Sequence, residues 1–507
     1  MNRFRYRIAA LALCLCALFL LLPLPANAAQ TAEDITDRVE KVDQKGFSKA
    51  RVIYDGDQLT TAIIREGSYL TMEYGEGIGS LYLIFDIECG AYTVTNNDTG
   101  ETSTWGENGF LHEFVDLKEI FSSAPKSVTI TFDGGQVRLN ELYVFSRGEV
   151  PDFVQKWEQP AEGETDLVLF STHGDDEQLF FAGVLPYYAG ELGYEVQVVY
   201  LTNHRNRTTD RCHEMLNGLW AVGVTNYPVF GQYGDYYTTT AQKALNIYIR
   251  KNITEEELVG YVVEQLRRFK PLVAVGHDLV NGEYGHGQHM LYAQLLTKAL
   301  EICNDPTQYP ETAEKYGVWD VPKTYLHLWP ENEIIMDWDQ PLKAFDGLTA
   351  YQVTKYRGFP CHASQYQDFA WYIVPYDTAA AVQKYNPCYY GLYRSTVGQD
   401  VAKNDFFENL RTYAQQKQDE ETAAEEARLD EVRQAVAQAR EVKDPPNLRP
   451  TEAAPSAPEP EVKQNPGIYV DKRLLLAVIL GAMGIFTLVE ILKIWRKEKN
   501  FRKNEKI

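Results

Sequence analysis

The chain is poor in cysteine, and its cysteines are not arranged as metal-binding pairs. Seven of the 507 residues are cysteine, and the five that follow the first 29 residues are widely spaced, with no Cys-x-x-Cys among them. A zinc ribbon needs such pairs, and a disulfide-stabilised scaffold needs a higher cysteine density, so both are excluded. The five cysteines allow one disulfide in an exported chain, without identifying its partners.

Long apolar runs are also scarce, and methionine is rare, with 6 residues against 33 tyrosines. Apolar residues make up 45% and charged residues 24% of the chain, which are ordinary values for globular proteins. A disordered, collagenous or polytopic membrane protein is therefore excluded, and the abundance of tyrosine favours sheet-rich domains. The length predicts two or three domains of roughly 100–200 residues each.

Positive charge is deficient over most of the chain. Lys and Arg number 49 against 71 Asp and Glu, which gives a net charge of −22. Because both termini are basic, the residues between them are more acidic than this total. Such a surface repels a phosphate backbone, so nucleic acid is not an expected partner, whereas neutral or cationic substrates are.

Residues 1–29 are predicted to be a secretory signal peptide. Early arginines precede an apolar run over residues 8–22, and Ala26-Asn27-Ala28 has the small-x-small pattern of a cleavage site. The apolar run is too short to cross a bilayer comfortably. We therefore expect the mature chain to act outside the cytoplasm, in a bacterial envelope.

The C-terminal end contains a second apolar run, residues 474–495, which is long enough to cross the hydrocarbon core of a bilayer. Seven Lys and Arg residues lie within residues 493–507, and the positive-inside rule places them in the cytoplasm. The sequence thus predicts a single C-terminal transmembrane helix over 473–495 and a basic cytoplasmic tail over 496–507. A buried C-terminal helix is the alternative.

Residues 30–150 are predicted to form an all-β sandwich. Short alternating or apolar runs, such as 80–87 and 127–132, are separated by clusters of Gly, Asn and Asp, as in sheet proteins with tight turns. The stretch resembles galactose-binding-like jelly-roll modules, which implies a carbohydrate-binding accessory domain. A structural β-domain that packs on its neighbour is the alternative.

Residues 151–400 change to alternating strands and helices. Short apolar strands alternate with helical patterns from residue 166 to residue 276, which predicts an α/β Rossmann-like domain built on a parallel sheet. In such sheets the functional site lies at the carboxyl ends of the strands. Residues 401–443 predict a helical stalk, and the Pro/Glu-rich residues 444–472 predict a linker.

Two short regions that begin at strand ends hold six of the nine histidines: His173, His204, His213, His277, His286 and His289. His173 and Asp176 can ligate one borderline metal such as zinc, while Asp175 can face an activated water. His286 and His289 open a helix and can complete an open site with three protein ligands. Either motif alone is weak, since acidic turns also cap helices. Together, at strand ends, they predict a catalytic metal site.

Several motifs occur in an order known from one enzyme family. They are His173-Gly174-Asp175-Asp176-Glu177, Arg211-Cys212-His213-Glu214, Gly231 with Asp235, Tyr284-Gly285-His286-Gly287-Gln288-His289, and His362-Ala363-Ser364-Gln365. On these motifs the chain resembles the PIG-L/LmbE-like zinc-dependent N-acetylglucosaminyl deacetylases, over about residues 164–370.

The resemblance implies a role for each matched residue. It assigns His173, Asp176 and His289 as ligands of Zn²⁺, with Fe²⁺ as the alternative metal. Asp175 would be the general base, His286 the acid that protonates the leaving amine, and Tyr284 a donor to the oxyanion. Arg211 and Asp235 would contact the sugar. Glu177 and His277 would hydrogen-bond to neighbouring site residues.

Two positions depart from the family's motifs. Gly174 stands where the family has proline, which removes a backbone constraint but no ligand. Gln288 replaces the aspartate between the two histidines, and an amide cannot stabilise an imidazolium electrostatically as a carboxylate does. We therefore expect a lower pKa for His286 and a shifted pH optimum, with the ligands and the base intact.

The sequence as a whole predicts a metal-dependent hydrolase. It would remove the N-acetyl group from an N-acetylated amino sugar or surface glycan outside the cell, anchored by one transmembrane helix. A membrane-anchored glycan-binding protein with a weak or inactive deacetylase-like site is one alternative. A hydrolase for another amide is the second, because a fold does not determine a substrate.

Overall fold

The computed structural model describes residues 30–160, 162–204 and 210–441. By its internal contacts the chain divides into one compact unit that ends at Ala427 and a second that starts at Arg428. Within the first unit we call residues 30–150 the β-domain and residues 151–412 the α/β domain. The predicted signal peptide, linker, transmembrane segment and basic tail lie outside the described residues.

The β-domain is a single antiparallel sheet of eight strands in the order β5-β4-β7-β2-β8-β3-β6, with β1 paired to β2. The strands are β1 Glu40–Phe47, β2 Ala62–Glu73, β3 Ser80–Phe85, β4 Tyr92–Asn96, β5 Thr102–Trp105, β6 His112–Asp116, β7 Ser127–Phe132 and β8 Val137–Phe145. A short helix, α1 (Leu117–Phe121), follows β6 and is capped by the Asp116 side chain.

The predicted sandwich is therefore wrong, because the strands form one curled sheet rather than two stacked ones. Side chains from β2, β3, β4, β7 and β8 meet in one apolar cluster that includes Ile64, Leu83 and Ile130. Period-two alternation reports only that each strand has one buried face. Two stacked sheets and one sheet wrapped on its own core produce the same pattern.

The α/β domain is built on a six-stranded sheet in the order β10-β9-β11-β12-β14-β13. Its strands are β9 Leu167–Ser171, β10 Val196–Tyr200, β11 Val273–Gly276, β12 Lys323–His327, β13 Glu333–Ile335 and β14 Tyr389–Ser395. The first four strands of that order are parallel, whereas β14 runs antiparallel to β12 and β13. The sheet is thus mixed, where the sequence predicted a parallel one.

Helices cover both faces of this sheet: α2 Asp176–Leu179, α3 Asp210–Ala221, α4 Ala241–Arg250, α5 Glu255–Phe269, α6 Gly287–Ile302, α7 Pro310–Tyr316, α8 Ala350–Val353 and α9 Ala363–Phe369. Alternate residues of β9 enter opposite cores. Leu169 packs in the cluster that contains Met215 of α3, and Phe170 packs in the cluster that contains Leu291 of α6. Both faces of β9 are buried, so the strand itself favours apolar side chains. The polar side chains of this region follow the end of the strand.

Helix α5 illustrates how local sequence determines an element. Thr254 accepts from the Glu257 backbone N–H, and the Glu257 side chain accepts from the Thr254 N–H, which forms a capping box. Acidic residues fill the first turn, and Arg267 and Arg268 lie in the last, which complements the helix dipole. These local signals determine where the helix begins and ends.

The fold class needs a further correction at the C-terminal end. Among residues 30–160, 162–204 and 210–441, no helix is long and apolar enough to cross a membrane, so the predicted single transmembrane helix is not supported. Residues 473–495 themselves lie outside the described part. Helix α10 (Tyr413–Glu441) occupies most of the predicted stalk, whereas residues 401–412 are not helical. No disulfide joins the five cysteines from Cys89 to Cys388, all of which lie in the described part of the chain.

The β-domain packs directly on helix α3 of the α/β domain. The His112 Nε2 and His213 Nδ1 atoms lie 2.8 Å apart, and the Tyr227 hydroxyl accepts from the Leu111 N–H at 3.0 Å. The rings of Phe110 and Tyr227 stack with centroids 4.5 Å apart. The helix that contacts the β-domain also carries Arg211 at its first turn.

We expect the buried side chain of Glu113 in the β-domain to make the free energy of unfolding depend on pH. Burial raises its pKa to about 7 from 4.5, although the Tyr92 hydroxyl donates to it. The unfolded chain releases this proton near pH 4.5, so the free energy of unfolding falls as the pH rises from about 4.5 to about 7. Glu113→Gln should reduce the loss of stability between pH 5 and pH 8 by roughly 2 kcal/mol, measured by chemical denaturation. An unchanged loss would contradict the prediction, and exposed Glu66→Gln is the control.

Candidate active site

The predicted site residues lie at the carboxyl edge of the α/β sheet. Strands β9 and β11 are adjacent and parallel, so the segments that follow them emerge side by side. One brings His173, Asp175 and Asp176, and the other leads through residues 277–286 into α6 with His289 at its start. All these side chains are buried. The two motifs therefore meet although more than a hundred residues separate them.

Three donor atoms converge at the bottom of this edge. Asp176 Oδ2 lies 3.0 Å from His173 Nδ1 and 3.2 Å from His289 Nε2, and these two nitrogens are 3.1 Å apart. Ligands around a tetrahedral zinc ion lie about 3.3 Å from one another. Two imidazole nitrogens and one carboxylate oxygen at this spacing are a donor set suited to zinc or iron.

Two other donor groups are also close enough to hold a metal: His173 with His286 and His289, and Asp176 with His277 and His289. The second is disfavoured because the Nε2 lone pair of His277 accepts the Thr172 N–H at 3.0 Å. His277 Nε2 lies 3.5 Å from Asp176 Oδ2, but its lone pair is already used by the Thr172 N–H and is not available to a metal. This fits the predicted role of His277 as a hydrogen-bonding neighbour.

The charges of the donor set favour a cation. Burial opposes ionisation of Asp176, but His289 and His173 hold its pKa well below the ordinary value. Burial likewise opposes protonation of His173, but Asp176 and Asp235 hold its pKa well above 6.5. The pKa of His289 is raised to about 8, mainly by Asp176 against the effect of burial. A metal ion would replace protons held by these histidines.

Asp175 is placed to act as a base. It is the N-cap residue of α2, yet its side chain makes no capping hydrogen bond. Burial raises its pKa to about 6; Arg211, whose Nη2 lies 3.7 Å away, opposes this rise and Asp176 adds to it. A carboxylate with a pKa near 6 is ionised at neutral pH and still basic enough to take a proton.

His286 is neutral in the resting site. Burial, together with His173 and His289, lowers its pKa to about 2. The sequence predicted a lower pKa for His286 because Gln288 replaces an aspartate. The pKa is indeed lowered, but the cause is burial together with the two neighbouring histidines. The Gln288 side chain accepts from the Tyr236 N–H and donates to Gly234 O and the Tyr248 hydroxyl, so it holds the neighbouring loop. His286 itself accepts the Gln288 N–H at Nδ1.

Gly174 is explained by its neighbour Met215. A Cβ atom at Gly174 would lie 2.4 Å from the Met215 Sδ atom, so Met215 occupies the space that a larger residue would need. The Gly174 carbonyl accepts from Arg211 Nη2 at 2.8 Å, and its N–H donates to His204 Nε2 at 2.9 Å. These contacts hold the turn without proline.

The other predicted residues surround the same space. Tyr284 lines it from a left-handed backbone conformation with φ 44°. Asp235 Oδ1 lies 3.3 Å from His173 Nε2, with its side chain 48% exposed. Glu177 is buried and does not line this space, and its Oε1 lies 2.9 Å from His362 Nε2.

These residues enclose one cavity of about 190 Å³. Its polar wall consists of His173, Asp175, Asp176, Arg211, Asp235, Tyr284 and His286. Tyr237, which is 68% exposed, and Phe369 form an aromatic rim. Aromatic faces beside a few convergent polar groups are typical of a small-molecule site.

Sequence reasoning missed two residues of this region, Glu283 and His327. Both are fully buried, and His327 Nδ1 lies 2.8 Å from Glu283 Oε1. His327 ends strand β12, and that position after a buried strand was the available signal. No such signal marked Glu283, because an acidic residue beside Gly282 in a polar loop is a common occurrence in any sequence.

Part of the chain is similar to known proteins. A stretch of 200 residues is 28% identical to 1D-myo-inositol 2-acetamido-2-deoxy-alpha-D-glucopyranoside deacetylase 1 of Catenulispora acidiphila, covering 35% of this chain and 59% of the relative. The deacetylase of that name from Streptomyces scabiei is 24% identical over 191 residues, covering 33% of this chain and 57% of the relative. The chain thus spans less than two thirds of the length of either relative. No family model matches it.

A solved structure is also similar, the N,N'-diacetylchitobiose deacetylase from Pyrococcus horikoshii. It is 13% identical, and the match covers 45% of this chain and 83% of that chain with a TM-score of 0.32.

Proposed function

We propose that this chain, which resembles the PIG-L/LmbE-like deacetylases, is a metal-dependent hydrolase that removes the acetyl group from an N-acetylated amino sugar. The observation that carries the proposal is the arrangement at the strand ends. Three donor atoms lie 3.0–3.2 Å apart. The Asp175 carboxylate makes no capping hydrogen bond and lines the adjacent cavity. Named relatives that act on acetamido sugars support the same substrate class.

His173, Asp176 and His289 would hold the metal. Bound zinc supplies Lewis acidity to a carbonyl oxygen and lowers the pKa of water. Asp175 accepts one proton from water as the water oxygen attacks the acetyl carbon. Burial, Asp176 and Asp175 raise the pKa of Tyr284, so its hydroxyl stays protonated and donates to the oxyanion, a contribution of about 3–4 kcal/mol. The C–N bond then breaks to give acetate and a free amine.

The leaving nitrogen needs a proton as that bond breaks. His286 has a pKa of about 2 and holds no spare proton at rest. Asp175 gains a proton in the first step, and we propose that this proton reaches the leaving nitrogen by way of His286. We propose that Arg211, which lines the cavity beside Asp175, and Asp235 contact sugar hydroxyls, with Tyr237 against the ring.

The experiment is an assay of acetate release by purified protein loaded with Zn²⁺, against a panel of N-acetylated monosaccharides and oligosaccharides. Release from at least one acetamido sugar, with about one zinc bound per chain, is the expected result. Binding of zinc and glycan without release on any substrate would overturn the enzymatic proposal and favour a glycan-binding protein. Release only from amides without a sugar would overturn the substrate class.

We propose further that the domains act outside the cytoplasm. The pattern of residues 1–29 supports export. N-terminal sequencing of the mature protein should begin near Ala29, and an intact N-terminus would contradict export.

A further inference from the structure

Glu283 is a fully buried carboxylate surrounded by three histidines. Its Oε2 atom lies 2.8 Å from His277 Nδ1 and 2.8 Å from His289 Nδ1. Its Oε1 atom lies 2.8 Å from His327 Nδ1 and accepts the Asp278 N–H at 3.2 Å. Both oxygens are therefore used as acceptors, and the carboxylate has a single orientation.

The partners of the histidines determine where their protons lie. His277 accepts the Thr172 N–H at Nε2, so its proton is on Nδ1 and points at Glu283. Both ring nitrogens of His327 face acceptor oxygens, Nδ1 at Glu283 Oε1 and Nε2 at the Asn386 carbonyl, 3.0 Å away. With a proton on each nitrogen, His327 donates to both and connects the carboxylate to a second segment. Neither histidine is a metal ligand in the proposed donor set.

For His289 the consequence concerns the metal. A proton on Nδ1, donated to Glu283, leaves the Nε2 lone pair free, and Nε2 faces Asp176 and His173. The opposite tautomer would place an N–H where the metal binds and leave Nδ1 facing a carboxylate without a proton between them. A carboxylate behind a ligating histidine fixes its tautomer and ring orientation.

We propose that Glu283 is a positioning residue that presets His289 for metal binding, with His277 and His327 serving to hold Glu283. The inference rests on the proposed function only in that a metal occupies the His173–Asp176–His289 site. It is distinct from the acid and base chemistry, because Glu283 does not line the cavity.

The test is metal affinity. Glu283→Gln keeps the size of the side chain, but its amide NH₂ faces N–H donors and loses accepted hydrogen bonds. Zn²⁺ affinity, measured by competition with a chromophoric chelator on chelator-stripped protein, should fall about 10–100-fold. Histidine ¹⁵N chemical shifts of the metal-free protein, recorded at a pH high enough to deprotonate the His289 imidazolium, should show His289 leaving its single neutral tautomer. Glu113→Gln, a buried carboxylate of the β-domain, is the matched control and should keep wild-type affinity.

His327→Asn is the second variant, because it removes a donor to Glu283 without touching the donor set. It should weaken Zn²⁺ binding by a smaller factor, about 3–10-fold. A folded Glu283→Gln protein with wild-type affinity and an unchanged His289 tautomer overturns the inference. If Glu283→Gln does not fold, wild-type affinity in His327→Asn overturns it instead. Wild-type protein that binds Zn²⁺ but releases no acetate would refute the proposed activity and leave this inference standing.

Discussion

Asp175→Asn should lower kcat/KM for acetate release by roughly 10²–10⁴-fold while the protein keeps its metal. The side chain lines the cavity and makes no capping hydrogen bond, so an amide of the same size fits but cannot accept a proton. Steady-state kinetics and metal analysis of the same samples check both parts.

The dependence of kcat/KM on pH gives a second test of Asp175 as the base. Because burial raises the pKa of Asp175 to about 6 in the metal-free protein, kcat/KM of the wild type should fall as the pH drops through and below that value, where the base becomes protonated. An Asp175→Asn protein that retains wild-type activity, or one that loses its metal, would refute the role of base.

His289→Ala should abolish both metal binding and activity. Its Nε2 is one of three donors within 3.2 Å of one another. Loss of a hydrogen bond behind such a ligand costs about 10–100-fold in affinity, so loss of the ligand itself should cost more than about 100-fold. Zinc content by mass spectrometry should fall from about one per chain to background.

Two further variants decide between the possible donor sets. Asp176→Ala should lose the metal as His289→Ala does, whereas His286→Ala should retain it. The opposite result, metal lost in His286→Ala and retained in Asp176→Ala, would identify His173, His286 and His289 as the binding group. Thermal unfolding of each variant verifies that the fold is intact.

Local signals predicted what depends on neighbours in the sequence. Helix α5 was predictable because its capping box and terminal charges lie within its own 15 residues. The meeting of His173 and His289 was predictable because both follow buried strands of one parallel pair. In each case a general rule of chain geometry was enough to predict where the residues lie in space.

Long-range pairing was not predictable by such rules. Nothing in the apolar run of β14 indicates that it enters the sheet antiparallel between β12 and β13. The β-domain strands likewise gave no sign that they form one curled sheet instead of two stacked sheets. The contact of Glu283 with His327 joins residues 44 positions apart, and its acceptor role appears only once three imidazoles surround it.

The contact between the two domains bears on how the protein unfolds. The buried pair His112–His213 and the Leu111–Tyr227 hydrogen bond tie the sheet of the β-domain to the helix that carries Arg211. If the β-domain melted alone, the α/β domain would lose these hydrogen bonds, each worth about 0.5–1.5 kcal/mol net of water, and the stacked contact of Phe110 with Tyr227 would be exposed. Calorimetry should accordingly record one cooperative endotherm for both domains, and weakening either domain should lower the melting temperature of the other.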